Sequence, residues 1–359
     1  MHESRFESMA VTYRKDIDRE VGAVAAEFQG QTIQDYGEYA SLPVEALCSL
    51  YTRDGKRIRG MLTVCGYEML GGRDHEMIIR AASAVELLHT YILGIDDIQD
   101  RSDTRRGGDS THKMLENESI SRGWRGDHSH TGMSLGLDGS LTGSWYALNL
   151  LKKLNIPDNV YRCVSGRIFE TMIITAHGQT GDIINEVNGE VTEEDIENVI
   201  LRKTAYYTVL NPLQVGMELA GATEERLQLV SSFATPLGMI YQFTDDALTY
   251  VADHHDKDPA VDIKDGKMTL IMFHALRVAE EPDREFLRSS LGNQNLTQHD
   301  FKRVVEIVKS TGAVDLALER AGRLANEAVQ ATDDFPMHWR RDNVEFLRYL
   351  PRKILERTR

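Results

Sequence analysis

The 359-residue chain is long enough for one large domain or two ordinary ones, and its 41% hydrophobic and 27% charged residues match a soluble, core-forming protein. A formal net charge of −15 argues against nucleic-acid binding, which needs a basic footprint, but local basic clusters can still hold small anions. The three cysteines, Cys48, Cys65 and Cys163, lack ligand spacing and imply buried thiols in a reducing compartment.

Residues 1–8 are polar and acidic, unlike a signal peptide, and no run approaches the length of a membrane span. The expectation is a cytoplasmic protein without stable membrane insertion. Apolar residues recur at three- and four-residue spacing over 21–28, 61–70, 78–93, 160–184 and 196–219, which predicts an all-α fold. Thr192-Glu193-Glu194-Asp195 and Thr297-Gln298-His299-Asp300 resemble capping boxes, with Asp in place of Glu. Pro157 suits a helix start and Gly71-Gly72 a helix stop. Residues 105–140, rich in Gly, Ser and His, read as a long irregular connection. In it His128 and His130 are either metal ligands or solvated side chains. No repeat or linker divides the chain, so one helical domain over residues 1–359 is expected, its motifs within roughly residues 40–290.

The chemistry gathers in polar clusters that interrupt these helices. In Ile95-Asp96-Asp97-Ile98-Gln99-Asp100, Asp96 and Asp100 share a helix face with Asp97 alongside. Like charges so placed repel, so a positive occupant is implied, and oxygen ligands favour a hard cation such as Mg²⁺ shared with a substrate phosphate. Arg105 and Arg106 follow with forked donors suited to phosphate. Taken alone, a solvated acidic helix end explains this stretch equally well. Lys56 and Arg59 lie three apart before an apolar helix, a natural anion site. Gly178-Gln179-Thr180-Gly181-Asp182 is either a site or a packing notch in a long helix. Lys203, within an apolar stretch, either snorkels outward or has an anionic partner. Gln242-Phe243-Thr244-Asp245-Asp246 is a second acidic helix segment, trailed by Lys257, Asp262, Lys267 and Thr269. Two such clusters predict carboxylates facing one another across a bundle, holding metal ions that clamp a diphosphate.

These motifs, in this order from about residue 55 to 270, resemble the trans-prenyltransferases, or isoprenyl diphosphate synthases, of the geranylgeranyl or farnesyl diphosphate type. Asp96 to Asp100 with Arg105-Arg106-Gly107 looks like the first aspartate-rich motif, and Gly55-Lys56-Arg57-Ile58-Arg59 like the Gly-Lys-x-x-Arg signature. The resemblance implies a single isoprenoid synthase-like helical bundle around a central cavity, usually a homodimer. It implies condensation of isopentenyl diphosphate with an allylic diphosphate, using three Mg²⁺ ions when substrate is bound. Asp96, Asp100 and Asp245 would bind metal, supported by Asp97 and Asp246. Arg105, Lys203 and Lys267 would hold the allylic diphosphate, with Lys257 nearby. Lys56, Arg59, His89 and Arg106 would hold isopentenyl diphosphate. Thr204 and Gln242 would aim oxygen dipoles at the allylic cation, beside Lys203. The family reaction is ionisation, condensation and loss of a proton to the released diphosphate.

The pattern also departs from the family. Thr249 replaces the last aspartate of the second acidic motif, and Gly139-Ser140 replaces a Gly-Asp pair. Asp245, Thr249 and Asp253 share a helical face and resemble the metal motif of class I terpene synthases, so a cyclase is the alternative. Against it, Lys56, Arg59, His89 and Arg106 would have no second diphosphate to hold. A non-catalytic partner subunit ranks last, because the first acidic motif is whole. By resemblance, Tyr91 upstream of Asp96, with Ile92 beside it and Leu88 a turn below, forms the floor that stops the growing chain. An aromatic at 91 alone implies geranylgeranyl diphosphate, with farnesyl next. The basic run over residues 348–359 either reaches the isopentenyl diphosphate or, as expected, stays solvated.

Overall fold

The computed structural model describes residues 2–251 and 259–358. In chain order α1 (His2–Tyr36), α2 (Glu38–Thr52), α3 (Ile58–Met69) and α4 (His75–Gln99) lead into a two-stranded hairpin, β1 (Thr104–Arg105) and β2 (Gly108–Asp109). There follow α5 (Thr111–Ser121), α6 (His128–Lys152), α7 (Asp158–Val187) and α8 (Glu193–Val199). The chain then widens into a π-helix (Ile200–Leu210) and narrows again into α9 (Asn211–Leu219). The rest comprises α10 (Glu224–Leu229), α11 (Ser231–Val251), α12 (Val261–Asp265), α13 (Leu270–Val278), α14 (Asp283–Ser290), α15 (Gln298–Ser310), α16 (Ala313–Ala331), α17 (Arg341–Leu355) and a last 3-10 turn, Glu356–Thr358. The all-α expectation is met.

The local signals explain several helix ends. Both Thr192 and Thr297 accept the N–H of the Asp three residues on, and each Asp accepts the threonine's own N–H in return. Gly71, at φ 91°, ends α3, and the Gly72 N–H closes back on Tyr67 O at 3.0 Å.

Helix α4 is the axis of the bundle, with apolar and small side chains on every face over much of its length and α1, α3 and α6 around it. By length and composition alone it could cross a membrane, so the expectation that no run approaches that length fails here. Its apolar faces instead form the main core with Ile17, Leu47, Leu62 and Leu213. A second apolar cluster, including Ile271, Leu287 and Val304, ties α13, α14 and α15 together.

Residues 105–140 are not the irregular connection expected. After a two-residue turn the stretch forms β2, α5 and the first half of α6. The glycines of the stretch that fall within α6 are contact notches: a Cβ on Gly132 would lie 2.5 Å from His112 O, and one on Gly139 would lie 2.5 Å from Pro43 O. Their spacing lets α5 and α2 lie directly on α6. Asp127 caps α6 by accepting the His130 N–H at 3.1 Å, and His128 Nδ1 bonds Ser119 Oγ at 2.5 Å. Both histidines thus sit in a first helical turn.

Candidate active site

The C-terminal ends of α4 and α7 point toward the same polar rim. The β1–β2 turn, Arg106-Gly107, has positive φ at both positions (51° and 73°), the geometry of a two-residue type I′ hairpin. This reversal sends Arg105 back against α4, where Nε donates to Asp97 Oδ1 at 2.6 Å and Nη2 lies 2.5 Å from the same oxygen. Arg105 Nη2 also lies 3.7 Å from Asp96 Oδ2. Asp97 is completely enclosed and does not line the cavity; burial pushes its carboxyl up to about 6 although Arg105 opposes the shift. Asp96 and Asp100 do face the cavity.

The opposite wall is α7 and the π-helix. A Cβ on Gly178 would lie 2.4 Å from the Lys203 nitrogen, so glycine there lets the two elements touch. Gly178 is a notch, and the notch serves the site. Wide π turns leave i→i+5 bonds, as in the Asn211 N–H donating to Tyr206 O, and such turns cluster at functional sites. Lys203 Nζ donates to Asp182 Oδ2 at 2.6 Å and lies 3.4 Å from Asp96 Oδ1. Burial opposes its charge, but Asp96 and Asp182 outweigh that and hold its pKa above the ordinary lysine value. Lys267 Nζ donates to Asp100 Oδ1 and Asp182 Oδ2, both at 2.9 Å, and lies 2.5 Å from Glu186 Oε1. Asp182 therefore links the two lysines to each other and, through Lys267, to the first acidic motif.

Helix α11 supplies the second motif. Thr204 Oγ1 donates to Gln242 Oε1 at 2.8 Å, and Gln242 Nε2 donates to Asp246 Oδ1 at 2.6 Å. Burial pushes the Asp246 carboxyl up to about 8, with Asp262 and Asp245 adding to the shift and Gln242 opposing it. Asp245 is exposed and accepts from Arg357 Nη2 at 2.9 Å. The C-terminal basic run is thus not wholly solvated: Arg357 lies over the Tyr241 ring, 5.3 Å from its centroid, and reaches the site. Thr249 does not line the cavity, whereas Asp262 does. Lys257 and Asp253 lie outside the described residues.

At the other end of the cavity Lys56, Arg59, His89 and Arg106 converge. Arg59 donates to Thr208 Oγ1 at 2.7 Å and lies 4.4 Å above the Tyr207 ring centroid. Arg106 donates to Leu50 O at 3.2 Å, and burial lowers its pKa to about 10. Burial, then Arg59 and Arg106, hold His89 well below its ordinary value, so it is neutral at pH 7. Glu86 is the buried counter-charge: it accepts the Gly60 N–H at 2.8 Å and sits 3.6 Å from Arg57 Nη1. Arg57 itself is structural, bonded to Asp18 at 2.7 Å and to Tyr51 O at 3.0 Å.

Between these ends lies a cavity of about 1140 Å³ with an apolar lower part that includes Tyr91, Ile92, Met172, Val199 and Ile200. Leu88 is buried in the core behind it. Sequence reasoning gave no role to Glu186 or Tyr207 and did not place Arg357 at Asp245. Glu186 was findable, four residues after Asp182 on the same face; the other two depend on tertiary contacts.

Comparison with known proteins identifies the family. The polyprenyl synthetase family model matches residues 42–308. A geranylgeranyl diphosphate synthase of Saccharolobus solfataricus is 29% identical over 319 residues, 88% of this chain and 90% of that one. A short chain isoprenyl diphosphate synthase of Methanocaldococcus jannaschii is 31% identical over 71% of this chain and 72% of its own. The structure of a geranylgeranyl pyrophosphate synthase from Corynebacterium glutamicum, complexed with isoprenyl diphosphate and magnesium, superposes with a TM-score of 0.89 at 25% identity, covering 95% of this chain and 98% of that one. The chain belongs to the polyprenyl synthetase family and is a prenyltransferase.

Proposed function

We propose that this protein condenses isopentenyl diphosphate with an allylic diphosphate, using divalent metal, to make a short all-trans prenyl diphosphate, with geranylgeranyl diphosphate as the main product. The observation that carries this reading is the pair of separate cationic subsites, Arg105 with Lys203 and Lys267 at one end and Lys56, Arg59 and Arg106 at the other, above one apolar floor. A single-diphosphate cyclase has no use for the second.

Among the described residues no three His, Cys, Asp or Glu side chains form a ready metal cage. The carboxylates instead bond to Lys203, Lys267 and Arg357. The donor set fits Mg²⁺ all the same: Asp96, Asp100 and Asp245 offer hard oxygens, and such ions complete their shell with water and substrate phosphate. Bound metal would supply charge neutralisation that makes diphosphate a better leaving group. Lys203, Lys267 and Arg105 hold that diphosphate as the carbon–oxygen bond breaks and its electron pair departs with the oxygen. The oxygens of Thr204 and Gln242 face the allylic cation. The double bond of isopentenyl diphosphate, held by Lys56, Arg59 and Arg106, supplies the pair for the new carbon–carbon bond. A proton then leaves the adjacent carbon for the released diphosphate. Apolar walls at Tyr91, Ile92 and Val199 keep water from the cation.

A homodimer belongs to the same reading. Leu137, Leu141 and Trp145 form an exposed apolar ridge on α6, and Phe169 and Ile173 another on α7, side chains that a second copy would cover.

Incubation of the purified protein with Mg²⁺, an allylic diphosphate and isopentenyl diphosphate tests the reading. Elongated prenyl diphosphate supports it. Hydrocarbon released without isopentenyl diphosphate would replace it with a cyclase, and turnover only on adding another subunit would make this chain a partner.

A further inference from the structure

The apolar end of the cavity is closed by a bond between two helices. Asp96 in α4 and Asp182 in α7 both lie near the C-terminal ends of their helices, so residues earlier in each helix lie farther from the diphosphate subsites. Tyr91 is five residues before Asp96, roughly 7.5 Å down α4, and Met172 is ten residues before Asp182, roughly 15 Å down α7. Helical side chains lean toward the N-terminus of their helix, which here is the deep end. The Tyr91 ring therefore reaches down and across, and its hydroxyl donates to Met172 Sδ at 3.2 Å. Below this pair stands closed core: Leu87 and Leu88 under Tyr91, Ile168 under Met172.

We propose that Met172 is a specificity-determining residue: with Tyr91 it forms a two-part floor that fixes how long the prenyl chain grows. This rests on the chain-elongating reading above and adds to it a residue from a different helix. The division of labour follows from the two side chains. The tyrosine ring is the rigid blocking surface, but a ring on one Cα–Cβ axis can swing aside under a lengthening apolar chain. A largely buried phenol needs an acceptor, and the thioether supplies a weak one that tethers the ring in place. Methionine is also unbranched and adaptable, so it fills the gap between the ring and Ile168 without a polar group of its own to satisfy. Removal of either part leaves the other as an incomplete barrier.

Product analysis of five variants tests this. In Met172→Ala the filler and the acceptor both vanish, and the main product moves at least one isoprene unit beyond that of the wild type. Tyr91→Phe keeps the ring and loses the tether; Met172→Leu keeps the volume and loses the acceptor. Each gives a mixed distribution with a several-fold larger share of the longer product. Because both remove one bond, the double variant Tyr91→Phe/Met172→Leu matches either single change instead of summing them. A wild-type product ratio in both Met172→Ala and Met172→Leu, with Tyr91→Ala alone lengthening the chain, overturns the proposal and leaves Tyr91 as the sole floor. A fall in rate and melting temperature with no change in product ratio also overturns it, because Met172 is then only core packing. If the wild-type enzyme elongates no prenyl chain at all, the proposed function fails, a result distinct from either of these.

Discussion

Arg357 and Asp245 are 112 residues apart in sequence and joined by a 2.9 Å hydrogen bond at the rim of the cavity. The guanidinium occupies the carboxylate assigned to metal, so cation and metal compete for one group. Removing the arginine should ease metal entry. An exposed ion pair contributes up to about 1 kcal/mol, so Arg357→Ala should lower the half-saturating Mg²⁺ concentration about two- to fivefold. A titration of turnover against Mg²⁺ checks this, and an unchanged or higher requirement would show that Arg357 does not compete.

The two cation clusters should separate kinetically. Arg106→Ala should raise the KM for isopentenyl diphosphate about ten- to a hundredfold, the loss of one charge-assisted contact, and leave the KM for the allylic substrate nearly unchanged. Lys267→Ala should do the reverse. Equal effects on both substrates from either change would merge the two subsites into one.

His89 gives a stability signature. Its folded-state pKa lies well below the ordinary histidine value, so between that lowered value and about 6.5 the unfolded chain binds a proton that the folded protein refuses. Stability contributed by the neutral ring is therefore fully present above about pH 6.5 and is lost as pH falls below it, at about 1.4 kcal/mol per pH unit. Thermal unfolding of the substrate-free protein from pH 8 to pH 5, compared with His89→Gln, should show the wild type losing more stability on the acid side. Parallel curves would mean that His89 takes up its proton in the folded state.

Gly132→Ala should cost about 1–3 kcal/mol, because the new methyl would meet His112 O at 2.5 Å and the Glu116 nitrogen at 2.8 Å, and α5 must move. Denaturant unfolding measures it. A neutral result would mean that α5 yields freely, as a loosely held segment would.

That glycine also marks where sequence reading stops. The capping boxes at Thr192 and Thr297 were legible because both partners lie within four residues. Lys203 was half legible: an ammonium in an apolar run demands an anion, but only the fold selects Asp182 and Asp96. Gly132 and Gly139 carry no sign of the helices pressed against them, so a helix with glycines at its close contacts reads as a loop. The acidic residues at 96, 97 and 100 were legible as a cluster. That Asp97 turns inward to hold Arg105 depends on the hairpin's turn, and that Arg357 arrives at Asp245 depends on the whole bundle.

The π-helix at Ile200–Leu210 sets a different constraint on this wall. Its wider coil holds more residues per turn than an α-helix, and Lys203 and Thr204 face the cavity only in that register. Deleting one residue anywhere in it would let the coil relax to α geometry and rotate everything on one side of the cut by roughly 100°. The ammonium would leave Asp182 and the threonine hydroxyl would leave Gln242, with every side chain still present. The segment can therefore exchange residues far more freely than it can lose one, because its length sets which way its functional groups point.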